Sequence, residues 1–294
     1  MPSTQRFRTQ PSLGTRAGSA RIALKGQHRR FWLELSQPGD TAARYDQIAE
    51  VYDETREPLT TGAIDNLAAL LLQDGSRMLL EAGVGTGRIS LPLQQRQFEI
   101  VGVDLSKGMV AKARVKGVRG LILADASQLP FRDKEFDAAI MAHVLHLLDN
   151  PVRTFKSLNR VATHEVVILV TKRGGGSTSE PEMSPLRDTF RQVAAELGYP
   201  RPGDAYGRGG MFQKENDFLT TYPPSSLVTL EDREIVTSTG ERLSILERRA
   251  FGRLRDIPED TFREIIRRVR ESVDTEEEIR YRRIDQAAIW RITN

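Results

Sequence analysis

The sequence predicts an α/β protein built on a doubly wound, largely parallel sheet. Three observations carry the prediction. Residues 78–90 (MLLEAGVGTGRIS) read as a short apolar strand, an acid at its end, glycines at alternate positions and a turn into a helix. This arrangement sets a ligand beside a helix amino terminus at the edge of an open sheet. Two further apolar runs end in aspartate, at Asp104 and Asp125. Helical patterns separate the runs, as crossovers between parallel strands require.

Taken in order, residues 63–72 form an amphipathic helix stopped near Gly75. Met78, Leu79 and Leu80 are the continuous apolar run of a buried parallel strand, with Glu81 at its carboxyl end. Gly83, Gly85 and Gly87 leave no Cβ between the backbone and a ligand. A dinucleotide fingerprint wants G-x-G-x-x-G, and the third glycine comes one residue early, with Arg88 in its place. A pyrophosphate cradle is therefore the weaker reading. Residues 99–103 form a second strand ending at Asp104, 21 positions after Gly83, where a carboxylate accepts hydrogen bonds from both ribose hydroxyls. Ser106 opens the next helix, with Met109 and Val110 inward and Lys112 and Arg114 outward. Residues 120–124 are the third strand, ending in Asp125, and residues 136–142 (FDAAIMA) the fourth. Asn150 followed by Pro151 is an N-cap and first-turn pair. Residues 166–170 are the fifth strand.

On these residues the chain resembles the class I S-adenosylmethionine-dependent methyltransferases, whose first motif has the form acid-x-G-x-G-x-G. The resemblance covers about residues 45–170. Upstream, Tyr45, Asp46, Ala49, Tyr52 and Asp53 match the lid helix of the small-molecule branch related to ubiquinone and menaquinone methyltransferases, and HVLHLLDNP (residues 143–151) matches that branch after the fourth strand. The resemblance implies a Rossmann-like, seven-stranded sheet with an antiparallel C-terminal strand, helical lid insertions and S-adenosylmethionine as cofactor. It further implies Glu81 near the ligand's amino group, Gly83, Gly85 and Gly87 near its methionine part, Asp104 on the ribose and Asp125 facing the adenine amino group. Tyr45, Thr86, Leu105, Met109, Ala126 and Ala142 complete the expected cofactor-binding set. Asp104 alone suits NAD and S-adenosylmethionine equally; the early Gly87 counts against NAD.

The 294 residues suffice for one large α/β domain with insertions. The absence of cysteine removes disulfides, thiolate metal sites and thiol nucleophiles, and disfavours pyrimidine C5 methylation, whose usual mechanism needs a cysteine. It also fits a reducing compartment, so a cytoplasmic location is expected. No apolar run reaches the length of a membrane span. The net charge of +3 misleads about the body of the protein. Residues 1–32 carry seven basic residues and no acid; removing them from the 43 leaves 36 against 40 acids, so the remainder carries about −4. Residues 1–40 are read as a basic, aperiodic tail without a catalytic role. An anion-binding arm and an organelle-type presequence compete with that reading.

Residues 41–294 are then one methyltransferase domain, with a cofactor half at about 41–170 and a substrate-side insertion at about 172–226. Within the insertion, residues 172–183 read as a polar loop, 186–197 as a helix closed by Gly198, and 199–218 as a Gly-, Pro- and Arg-rich loop over the sheet edge, where selectivity is placed. Residues 227–237 and 279–292 supply the last two strands, the second only partly apolar, as expected near a sheet edge or hairpin. Residues 258–273 form a helix with Phe262, Ile265, Ile266, Val269 and Val273 on one face. The acidic run 274–278 is read as a solvated face.

Methyl transfer from a sulfonium is an in-line displacement that needs alignment and, for a protonated acceptor, a base. His143 and His146 follow the fourth strand and are the candidate bases. The base-stacking motif of nucleobase amino-methyltransferases is replaced by Ala142, His143, Val144 and Leu145, which favours a small molecule over nucleic acid. Histidine and carboxylate spacing gives no metal triad. An RNA methyltransferase using the basic tail and a non-catalytic S-adenosylmethionine-binding regulator remain the alternatives.

Overall fold

The computed structural model describes residues 40–174, 184–199, 208–250 and 252–293, all within the unit Gln37–Asn294. Residues 1–39 of the tail expected over 1–40 lie outside them, and Asp40 begins the first helix. Seven strands form one sheet: β1 (Met78–Ala82), β2 (Glu99–Asp104), β3 (Leu121–Leu123), β4 (Phe136–Ala142), β5 (Ala162–Gly174), β6 (Ser226–Ser238) and β7 (Glu278–Arg291). Their order is β3-β2-β1-β4-β5-β7-β6. β1 to β5 pair in parallel, and β7 is antiparallel to both β5 and β6. The chain winds outward from β1 in one direction and from β4 in the other, so the switch point lies between them.

The local signals explain the helices of the cofactor half. α1 (Asp40–Ile48) precedes a short turn at Asp53–Thr55, and α2 (Thr61–Gln73) starts where the Thr60 hydroxyl accepts from the Ala63 N–H. α3 (Ser90–Gln95) follows the glycine loop. α4 (Lys107–Val115) is capped by Ser106, whose hydroxyl accepts from Met109 N–H at 3.1 Å, and α5 (Pro151–Val161) by Asn150, which accepts from Arg153 N–H at 2.9 Å.

Strand residues alternate between two cores. Leu79, Ala138, Ile140, Val167 and Leu169 face α2, packing against Ile64, Leu67 and Leu71. Leu80, Ala139, Met141, Val166 and Ile168 face α5, packing on Leu158 and Val161. A third apolar cluster joins α6 (Ser184–Glu196), α8 (Thr239–Glu247) and α9 (Glu259–Ser272) through Leu186, Phe190, Leu243, Leu246, Phe262 and Ile265. No helix among the described residues is long and apolar enough to cross a membrane.

The structure corrects three expectations. The lid helix expected through Asp53 ends at Ile48. Residues 172–174 of the expected polar loop belong to β5, which continues to Gly174; residues 175–183 are not among those described. The Gly-rich segment 199–218 is not all loop, since α7 (Arg208–Thr221) occupies its second half. β7 lies next to the edge strand β6 and pairs with it antiparallel, as expected of a strand near a sheet edge or hairpin, and its inward charges are paired.

Candidate active site

A cavity of about 400 Å³ opens at the carboxyl ends of β1, β2 and β4, at the switch point. Of the residues expected to bind cofactor, Tyr45, Glu81, Gly83, Gly85, Thr86, Asp104, Leu105, Met109, Asp125, Ala126 and Ala142 line it, together with His143. Gly87 and His146 do not.

The glycine loop turns back over the end of β2, with the N–H groups of Gly83 and Val84 both donating to the Val103 carbonyl at 2.8 and 2.9 Å. Gly85 has φ +54° and nothing within 4 Å of the place a Cβ would take. A side chain there would fill the cleft, so glycine leaves room for a ligand. Gly87 is glycine for a different reason. Its φ is +78°, and a Cβ would stand 2.3 Å from Val118 Cγ2, so it packs the loop onto the end of α4 rather than facing the cavity.

Three carboxylates surround the opening. Asp104 accepts from Gly85 N–H through one oxygen and from Ser106 N–H through the other, both at 2.8 Å; burial raises its pKa. Glu81 is buried and accepts from the Ser90 hydroxyl. Burial pushes it up to about 8, so without a cationic partner it holds a proton at neutral pH. Asp125 accepts from Ser127 N–H at 2.7 Å.

Two aspartates fix α1 and the turn after it. Asp46 of α1 accepts from the Ser106 hydroxyl at 2.6 Å and from Gly108 N–H at 2.7 Å, which holds Tyr45 at the cavity wall. Asp53 accepts from the Thr86 hydroxyl at 2.5 Å and from Lys116 at 2.9 Å. Thr86 thus lines the cavity with its hydroxyl engaged by that turn.

The two histidines separate. His143 has φ +56°, the left-handed region that non-glycine residues enter rarely and mostly at functional turns. It is half-buried, and burial lowers its pKa to about 4 against the opposing influence of Asp285, so its imidazole is neutral at pH 7. His146 follows in the short helical turn Leu145–Leu147, which carries it away from the cavity. Its Nδ1 stands 3.4 Å from Glu215 Oε1 on α7. The turn that redirects it packs under a helix in a segment the sequence reads as loop.

Two features were not singled out from the sequence. Arg88 lines the cavity, and its Nη2 donates to the Glu57 carbonyl at 2.5 Å. A buried ion network of Glu57, Arg173, Arg242, Arg283 and Asp285 lies next to His143's surroundings. Its sequence signal is the pair of charges at Arg283 and Asp285, which share a strand face at spacing two.

Residues 80–170 match a family model described as a methyltransferase domain. The demethylmenaquinone methyltransferase of Renibacterium salmoninarum is 29% identical over 167 residues, 53% of this chain and 66% of that protein. A phosphatidylethanolamine N-methyltransferase of Cereibacter sphaeroides is 32% identical over 139 residues, 44% of this chain and 68% of that protein. A ubiquinone/menaquinone biosynthesis C-methyltransferase of Citrifermentans bemidjiense is 24% identical over 216 residues, covering 68% and 86%. The match spans 66%, 57% and 54% of three curated relatives' own lengths, between half and two thirds.

Proposed function

The chain belongs to the class I S-adenosylmethionine-dependent methyltransferases, and from that premise we propose that its cavity takes S-adenosylmethionine and delivers the methyl group to a small organic acceptor beside His143. The observation that carries the reading is Asp104, a half-buried carboxylate at the end of β2 that lines the cavity and is fixed by two backbone donors at 2.8 Å. A carboxylate so held is preorganised to accept from two vicinal hydroxyls. The open space beside Gly85 fits a ligand's chain against the loop, and Leu105 and Met109 offer apolar walls for an adenine ring.

When bound, S-adenosylmethionine supplies a methyl group on a sulfonium, open to in-line displacement. The protein's part is alignment and proton handling. His143 is neutral at working pH and stands at the carboxyl end of β4. An acceptor O–H or N–H becomes strongly acidic as its atom gains a methyl group, so a base of low pKa suffices to remove the proton. His146, turned to Glu215, has no part in the proposal.

Asp104→Ala is expected to weaken S-adenosylmethionine binding by about 1 to 3 kcal/mol through lost charge-assisted hydrogen bonds, read by calorimetric titration. Unchanged affinity would remove Asp104 from the cofactor site.

Glu81 predicts a proton linkage. Its pKa of about 8 in the empty site means that it is mostly protonated at pH 7. A ligand ammonium beside it favours the carboxylate, so binding should release about one proton, and affinity should rise with pH up to about 8. Titrations in buffers of different ionisation enthalpy measure the release. Binding without proton release would show that Glu81 is unaffected by the ligand.

A further inference from the structure

The carboxyl edge of the sheet carries a layer of buried charge that none of the steps above uses. β5 and β7 extend beyond Ala142↔Leu169, the last pair that joins β4 to β5. Along one face the character then changes. Leu169 and Ala287 belong to the apolar core under α2; the next pair on that face is Thr171 with Asp285, and the next is Arg173 with Arg283. Glu57, from the connection between α1 and α2, covers this layer. Its carboxylate lies 2.7 Å from Arg173, 2.9 Å from Arg242 and 3.0 Å from Arg283. Arg283 also holds Asp285 bidentately at 2.8 and 3.0 Å. Arg88 reaches the same place from the glycine loop, donating to the Glu57 carbonyl.

The charges do not cancel. Four guanidinium groups (Arg88, Arg173, Arg242 and Arg283) meet two carboxylates, Glu57 and Asp285, and Arg88 makes no ion pair among the described residues. The surplus is held away from water: the side chains of Arg173, Arg242 and Arg283 are 9%, 10% and 3% exposed. The Nε donors of Arg173 and Arg242 are buried without an acceptor among the described residues. Burial lowers the pKa of Arg88; Tyr52 and the Asp53 carboxylate oppose that shift, while the positive charges of Arg56 and Arg283 add to it. Buried positive charge and orphaned donors are both costly, and a planar oxyanion is what guanidinium forks match.

We propose that the acceptor completes this surplus: the molecule methylated here carries an oxyanion, a carboxylate or a phosphate ester, bound by Arg88 at the cavity wall with Arg173, Arg242 and Arg283 behind it. The proposal rests on the methyltransferase reading of the cavity. Arg88 and His143 both line it, so an acceptor anchored through its anion presents its nucleophilic end beside the imidazole.

The test is calorimetric titration of the full chain, with and without saturating S-adenosylhomocysteine, using benzoate, phenyl phosphate and benzyl alcohol at constant ionic strength. At least one of the two anions is expected to bind tenfold or more tightly than the alcohol, and which of them does identifies the carboxylate or the phosphate. Arg88→Gln should weaken that binding at least tenfold and Arg88→Lys by less, with thermal melts of both variants recorded alongside. If Arg88→Gln does not fold, the comparison of anion with alcohol on the unaltered protein still decides. Equal affinity for the three probes, or no anion binding in either state, would overturn the proposal. Anion binding without S-adenosylhomocysteine binding would leave the anion site standing and remove the methyltransferase reading instead.

Discussion

His143→Asn is expected to lower kcat by roughly 10²- to 10⁴-fold, the range of a lost general base, while S-adenosylmethionine affinity stays within about twofold of the parent. Asparagine is chosen because it tolerates the left-handed backbone that His143 adopts at φ +56°, whereas most replacements would add strain at the same position. The substitution therefore removes the basic nitrogen and leaves the turn after β4 in place. The pH profile gives a second readout. With a pKa near 4, the imidazole of the unaltered protein is already in its base form above about pH 5, so kcat should be flat from there to neutrality and fall below it as the ring takes a proton. The rate is read by transfer of labelled methyl to the first acceptor identified. An unchanged kcat in the variant would assign His143 to shaping the cavity wall alone.

Asp285→Ala should destabilise the protein by about 3 to 5 kcal/mol, the cost of leaving a buried charge without its partner. Asp285 and Arg283 are each 2% exposed, and the carboxylate also accepts from the Thr171 hydroxyl at 2.5 Å. Truncation leaves Arg283 with only Glu57 as a counter-charge, in a layer that already has surplus positive charge. Chemical denaturation measures the loss; a change below about 1 kcal/mol would mean that Arg283 is reached by water. Glu57 adds an acid limit to the same layer. Burial opposes its ionisation, but Arg173, Tyr281, Arg242 and Arg283 together hold its pKa at about 2. Its contribution to stability is thus complete above the usual carboxylate value and is lost as pH falls through about 2.

What the sequence made legible was local. β4 begins and ends as its apolar run predicts, and Ser106 and Asn150 cap their helices because cap chemistry acts within three residues. The alternation of strand, glycine turn and helix likewise determines that β1 and β4 flank the cavity. What was not legible depends on distant partners. Gly87 reads as a ligand-facing glycine, yet the atom that forbids a side chain there belongs to Val118. His146 reads as a base beside His143, but its partner is Glu215, 69 positions on and on a helix hidden in a Gly-rich segment. The charges on β7 read only as the partly apolar pattern of a strand near a sheet edge, because the partners they meet, Arg173 and Glu57, are far away in sequence. Burial of charge is a property of the assembled fold, and no window along the chain contains both partners.

Every step proposed here depends on S-adenosylmethionine occupying the cavity at the β1–β4 switch point. Calorimetric titration of the protein with S-adenosylmethionine, S-adenosylhomocysteine and NAD tests it most directly. Micromolar binding of the two adenosyl ligands and none of NAD is expected; binding of NAD alone, or of no ligand, would show that the cavity is not an S-adenosylmethionine site.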